Sequence, residues 1–155
     1  MYKLKLHVSL MAGALLLAAA NVGQAQPAAA VPLALRASDP ALQWGACPPI
    51  FPRGCRIAVL HGDPAKPNAD VFLRVDGGQK LPAHIHSSAE RMILVSGQLT
   101  VKYKGAQAAN LTPGMYAYGP AGLAHEASCL GAEPCTLFIA FEGAVDADAF
   151  AGSLD

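Results

Sequence analysis

The sequence predicts an all-β domain, a small barrel or jelly roll. Three observations carry this. Apolar segments beyond residue 40 are of strand length, and Pro/Gly punctuation recurs about every ten residues between them. Residues 98–104 alternate Leu99, Val101 and Tyr103 with polar neighbours, the period of a half-buried strand. No long run of residues after position 30 carries a helical period.

Residues 26–40 are rich in Ala and Pro and read as a loose arm ahead of a single domain at 41–155. Residues 42–55 read as irregular, with the only tryptophan, Trp44, as a core or edge plug. Residues 56–60 form the first strand, ended by His61-Gly62-Asp63-Pro64, and residues 71–75 the second, ended by Asp76-Gly77-Gly78. Residues 80–86 are short and extended, so Lys80 shares strand parity with His84 but is expected at the rim. Residues 91–95 are strongly apolar and turn at Ser96-Gly97. After the alternating strand at 98–104, residues 110–114 read as a turn and 115–118 as a strand. A strand starts at His125, and residues 136–142 form the last one. Residues 147–154 are expected to form a short terminal helix.

The N-terminus reads as a targeting signal. Lys3 and Lys5 precede an apolar run over 10–20, and Gly23-Gln24-Ala25 offers the small residues of a cleavage site after Ala25. The apolar run is shorter than the ~20 residues a membrane span needs, so stable membrane insertion is not expected. This predicts a periplasmic or secreted protein. Loss of Lys3 and Lys5 leaves nine basic residues against 11 acidic ones, with no basic patch, which argues against nucleic acid as a partner.

Export shapes how the four cysteines read. An oxidising compartment favours disulfides, and four cysteines allow three connectivities. The two local pairings, Cys47 with Cys55 and Cys129 with Cys135, are preferred, because each brackets a turn-rich loop. No Cys-x-x-Cys pair supports a zinc site.

Histidine is scarce, with five in the chain, yet His84, His86 and His125 fall in two short stretches beside Glu90. His84 and His86 are two apart, so a strand turns both imidazoles to one face. Glu90 opens the next strand and shares a face with Met92 and Leu94. His125 arrives from a distant strand, aimed by the bend at Pro120-Ala121-Gly122. Gly97, Gly114 and Gly122 suit turns that need positive φ or close backbone approach. Arg91 should point away from Glu90 and pair at the surface. Met92, Leu94 and Tyr103 are candidates for lining a pocket.

These stretches resemble the paired motifs of the cupin family. Gly78, His84, His86, Glu90 and Gly97 meet every spacing of the first motif. Gly114, Pro120, Gly122 and His125 meet the second, with Cys129 where asparagine is usual. The motif core is 78–129. The resemblance implies a conical β-barrel of jelly-roll type. It maps His84, His86, Glu90 and His125 onto the family's metal ligands. Such a set suits one divalent transition metal ion, whether Fe, Mn, Ni, Cu, Co or Zn. The leading expectation is a metal-dependent enzyme, of dioxygenase or isomerase type, acting on a small molecule. The alternative is a non-catalytic module that binds or senses a metal or small ligand. No catalytic acid or base is evident beyond the ligand set. A homodimer is expected by analogy, with Ile93 and Val95 facing outward.

Overall fold

The computed structural model describes residues 31–155, so the expected signal segment at 1–25 lies outside the described residues. Residues 34–155 form one compact unit. Eleven strands follow in order: β1 (Gly45–Ala46), β2 (Cys55–His61), β3 (Ala69–Val75), β4 (Lys80–Ile85), β5 (Glu90–Ser96), β6 (Leu99–Tyr103), β7 (Ala109–Leu111), β8 (Tyr116–Gly119), β9 (His125–Cys129), β10 (Cys135–Phe141) and β11 (Asp148–Ala149). They build a six-stranded sheet, β1-β2-β3-β10-β5-β8, and a five-stranded sheet, β11-β4-β9-β6-β7, paired antiparallel throughout. The described residues are all-β, as expected, and their fold is a jelly roll.

The alternation read from sequence places the core between the sheets. Val71, Val75, Leu94, Leu99, Val101 and Leu137 lie in one buried cluster. In β5, Glu90, Met92 and Leu94 are buried while Ile93 and Val95 are exposed, the period of two expected of a strand with one wet face. Arg91 points outward and pairs with Glu142. Trp44 sits at the sheet edge, half-buried, with the Arg74 guanidinium 4.2 Å from its ring centre. Arg74 also donates to the Ala37 carbonyl at 2.7 Å and so ties down the described end of the arm.

Both local disulfides are present, Cys47–Cys55 and Cys129–Cys135. The second stitches the end of β9 to the start of β10, at the barrel end opposite His125. Beside it Gly97 has φ +85°, and a Cβ there would lie 2.8 Å from the Cys135 backbone. Gly114 and Gly122 also have positive φ, at 90° and 71°.

The terminal helix expected over 147–154 is absent: no helix occurs among the described residues. Eight residues with Gly152 near the end make a marginal helix. The edge of β4 meanwhile needs backbone partners. Asp148 and Ala149 pair with Ile85 and His84, and Phe150 N donates to the Ala83 carbonyl. The turn expected at 110–114 is shorter, because residues 109–111 pair with β6 as β7 and bury Leu111. Gly45 and Ala46, read as irregular, form a two-residue strand on Ile57 and Arg56.

Candidate metal centre

Four strand ends meet at one mouth of the barrel. His84 lies at the end of β4, Glu90 opens β5, Gly119 closes β8, and His125 opens β9. His86 follows β4 by one residue. A β-bulge aims the first two histidines. Leu81 pairs with Ala127 but His84 pairs with His125, so β4 holds one residue more than β9 across this stretch. Proline at position 82 suits such a site, since it cannot serve a regular ladder. The bulge reverses the parity expected of this segment. Leu81, His84 and His86 are buried, while Lys80 is exposed and pairs with Glu126 at 2.9 Å.

His84, His86, His125 and Glu90 are 3%, 8%, 5% and 2% exposed, an unusual depth for four ionisable groups. One ring nitrogen from each histidine lies within 4.8 Å of the others. Glu90 Oε1 is 3.1 Å from His125 Nε2, and Glu90 Oε2 is 3.6 Å from His86 Nε2. Gly119 pairs directly with Glu90, and a Cβ at 119 would fall 2.8 Å from the Glu90 Cγ and Oε1. Only glycine leaves room for the carboxylate there.

The opposite ring nitrogens settle the tautomers. His84 Nδ1 faces the Pro82 carbonyl at 2.7 Å, His125 Nδ1 faces the Leu123 carbonyl at 3.3 Å, and His86 Nδ1 faces the Asp146 carbonyl. Carbonyl oxygens only accept, so each Nδ1 carries hydrogen and donates. In the neutral imidazole each Nε2 is then a bare lone pair directed at the shared space. This explains why Glu90 Oε1, close as it is to His125, makes no hydrogen bond: lone pair faces lone pair. Three lone pairs and a buried carboxylate converging on one point need a cation or a proton between them. The donor set therefore fits a divalent transition metal.

Burial, then the neighbouring His125, lowers the His84 pKa to about 4, against a backbone hydrogen bond to Pro82 that raises it. His84 is thus neutral and available as a ligand at neutral pH. Burial alone would raise the Glu90 carboxyl. Where acid has protonated the imidazoles, a hydrogen bond from His125 and the positive charges of His86, His125 and His84 outweigh burial and hold the group below the ordinary carboxylate range.

Met92 lines the cavity beside this cluster, which holds about 60 Å³. Leu94 packs in the core, and the Tyr103 ring lies tilted against His125 with ring centres 5.1 Å apart; neither is among the residues lining the cavity. The Tyr103 hydroxyl is buried without a partner, and burial followed by the Glu90 charge raises its pKa. Cys129, where the motif has asparagine, is held by its disulfide and offers no thiol.

A family model described as a cupin domain matches residues 71–141, the span that holds all four clustered residues. These residues belong to the cupin family. Solved structures agree on the fold. A cupin-2 domain from Rhodospirillum rubrum matches with TM-score 0.62 and 14% identity, covering 78% of this chain and 83% of that one. A DMSP lyase from Ruegeria pomeroyi matches with TM-score 0.61 and 17% identity over 72% of this chain and 64% of the lyase. Oxalate decarboxylase from Bacillus subtilis matches with TM-score 0.51 and 22% identity over 60% of this chain and 26% of that one. This cupin thus spans less than two thirds of the length of that lyase. At these identities the likeness is one of fold. No curated protein matches the chain in sequence.

Sequence reasoning missed three contributors to this cupin's site. Phe51 reaches it from the loop closed by Cys47–Cys55, its ring edge-on to His84 with centres 4.7 Å apart. Val145 and Asp146 reach it from the chain after β10. Asp146 does two things: its backbone carbonyl orients His86, and its carboxylate accepts from Ser87 N at 2.9 Å. These residues lie far from the motifs and carry no pattern of their own. The even cysteine count was the one available hint, since it closes the loop that carries Phe51.

Proposed function

We propose that this cupin is an exported, metal-dependent enzyme acting on a small molecule, of dioxygenase or isomerase type. His84, His86, Glu90 and His125 would hold one divalent transition metal ion among Fe, Mn, Ni, Cu, Co and Zn. The observation that carries the reading is the set of three Nδ1–H groups committed to backbone carbonyls, which leaves three Nε2 lone pairs facing one carboxylate. A bound ion would supply Lewis acidity toward an oxygen donor of the substrate.

The remaining work falls to the chain. The carbonyls of Pro82, Leu123 and Asp146 fix the imidazole planes, the role such partners commonly have around metal sites. Apolar walls exclude water, and Phe51 crowds the His84 ring. Among the lining residues Asp146 carries the one carboxyl outside the ligand set, which makes it the candidate to accept or give a proton there. Its hydrogen bond from Ser87 also favours a second reading, in which Asp146 only braces the site and the protein binds or senses a ligand without turnover.

Metal analysis of protein from its native compartment, with His86→Ala and Glu90→Ala beside it, tests the ligand set. Unchanged metal stoichiometry in both variants sinks it. Dioxygen uptake and product analysis of protein loaded with each metal then separate the readings. A saturable ligand-induced thermal shift with no product selects the binding module.

Export is supported by the two disulfides, which suit an oxidising compartment, together with the signal read at 1–25 with cleavage after Ala25. No helix among the described residues is long and apolar enough to cross a membrane. Exposed Ile93, Val95 and Tyr116 on neighbouring strands support a homodimer. Light scattering of the purified protein checks this, and a monomer at high concentration removes it.

A further inference from the structure

Two segments outside the matched span 71–141 close the cavity above the imidazoles. The disulfide-bounded loop 47–55 brings Pro48 and Phe51 to its wall. The chain after β10 returns across the same mouth with Val145 and Asp146, anchored by Val145 N donating to the Pro64 carbonyl at 2.8 Å and Phe150 N to Ala83 at 2.9 Å. Below the imidazoles the wall is apolar, including Leu73, Met92 and Ile139. Among the described residues that line the cavity there is no lysine or arginine. Its ionisable groups are the three imidazoles and two carboxylates, Glu90 and Asp146.

We infer that this site selects ligands with one oxygen-donor head and a compact, uncharged, apolar body. The inference rests on the metal reading above, since the imidazoles and Glu90 are then engaged with the ion and the head with the ion's open side. A second anionic group would leave water to meet aliphatic walls, with no lysine or arginine to receive it. Burying a charge without a partner is strongly unfavourable, whereas an apolar body gains by leaving water. The wall thus combines barrel side chains with closing residues from segments outside the matched span.

Two hydroxamates test this with the full disulfide-bonded protein loaded with Co²⁺ and read by its visible spectrum. 4-Methylpentanohydroxamate and succinic acid monohydroxamate share head and shape and differ in a neutral or carboxylate tip. The neutral compound is expected to bind at least about tenfold tighter, a gap of about 1.4 kcal/mol. Val145→Lys places a cation at the mouth and should shrink that gap to about threefold or less. Ala147→Lys, on the same wall, replaces it if the first variant does not fold. Equal binding, or tighter binding of the carboxylate compound, with cobalt bound at one per chain, overturns the selectivity and leaves the metal reading standing. A gap unchanged by a folded lysine variant overturns its assignment to this cavity. Failure to bind cobalt overturns the metal reading and this inference with it.

Discussion

Glu90→Gln makes opposite changes in the metal-free and metal-loaded protein, which makes it the sharpest test of the site. In metal-free protein at pH 8, well above the ordinary imidazole range, the buried carboxylate faces lone pairs. Its Oε1 is 3.1 Å from His125 Nε2 and forms no hydrogen bond. Glutamine keeps the shape, removes the charge and can donate its amide N–H to that Nε2. Desolvating an ion costs several kcal/mol, and part of that is recovered, so a gain of about 1–3 kcal/mol is expected. The compact unit of about 120 residues unfolds with an entropy of ~250 cal/mol/K, so about 1 kcal/mol moves Tm by about 4 °C. The metal-free variant should therefore melt about 4–12 °C higher than wild type. Metal at about 100 times its Kd adds about 2.7 kcal/mol to wild type, close to 11 °C. If the lost ligand weakens binding about a hundredfold, the same metal adds only about 0.4 kcal/mol to the variant, or about 2 °C. Differential scanning fluorimetry with and without chelator reads both shifts. A metal-free variant less stable than wild type would mean that an imidazolium pairs with Glu90, and the tautomer argument would fail. A full metal-induced shift in the variant would remove Glu90 from the ligand set.

Acid should destabilise the metal-free protein in a defined window. His84 drops from an ordinary 6.5 to about 4 on folding, so the unfolded chain binds the extra proton between those values. Stability is then present above pH 6.5 and falls by about 3 kcal/mol as pH drops to 4. Glu90, held below its ordinary range only where the imidazoles facing it are protonated, adds a loss of the same sign at still lower pH. Urea titrations across pH 4–8 check this, and a flat profile between 4 and 6.5 contradicts the burial of a neutral His84. Gly119→Ala should displace Glu90, because the new Cβ meets it at 2.8 Å; metal content should fall while circular dichroism stays β-type, and full metal retention refutes the close approach. Replacing Cys47 and Cys55 with alanine should cost about 2.5 kcal/mol for an eight-residue separation. It should also release Phe51 from His84, which faster metal exchange would report; an unchanged exchange rate would mean that the loop stays in place without its disulfide.

Much of the fold was legible because a strand with one wet face must alternate. Glu90, Met92 and Leu94 could be assigned inward, and Arg91, Ile93 and Val95 outward, from order alone. The disulfides were legible for a related reason, since short turn-rich loops hold their ends close. The terminal segment was misread because local propensity was weighed without the edge of β4, whose unpaired backbone groups recruit residues 148–149. The parity of Lys80 with His84 fails for a similar reason. A bulge is a mismatch between two strands, and β4 shows its extra residue only against β9.

The histidine and carboxylate spacing by itself determined which four side chains could share an ion, because fixed intervals on strands and turns set which faces they occupy. The tertiary structure alone decided that they meet with bare lone pairs. Nδ1 partners come from the Pro82 and Leu123 carbonyls nearby but also from Asp146, 60 residues beyond His86. It also decided what covers the site. Phe51 and Val145 lie on either side of the motif core in sequence, and packing across the barrel mouth, a long-range event without local periodicity, brings them over the same cavity.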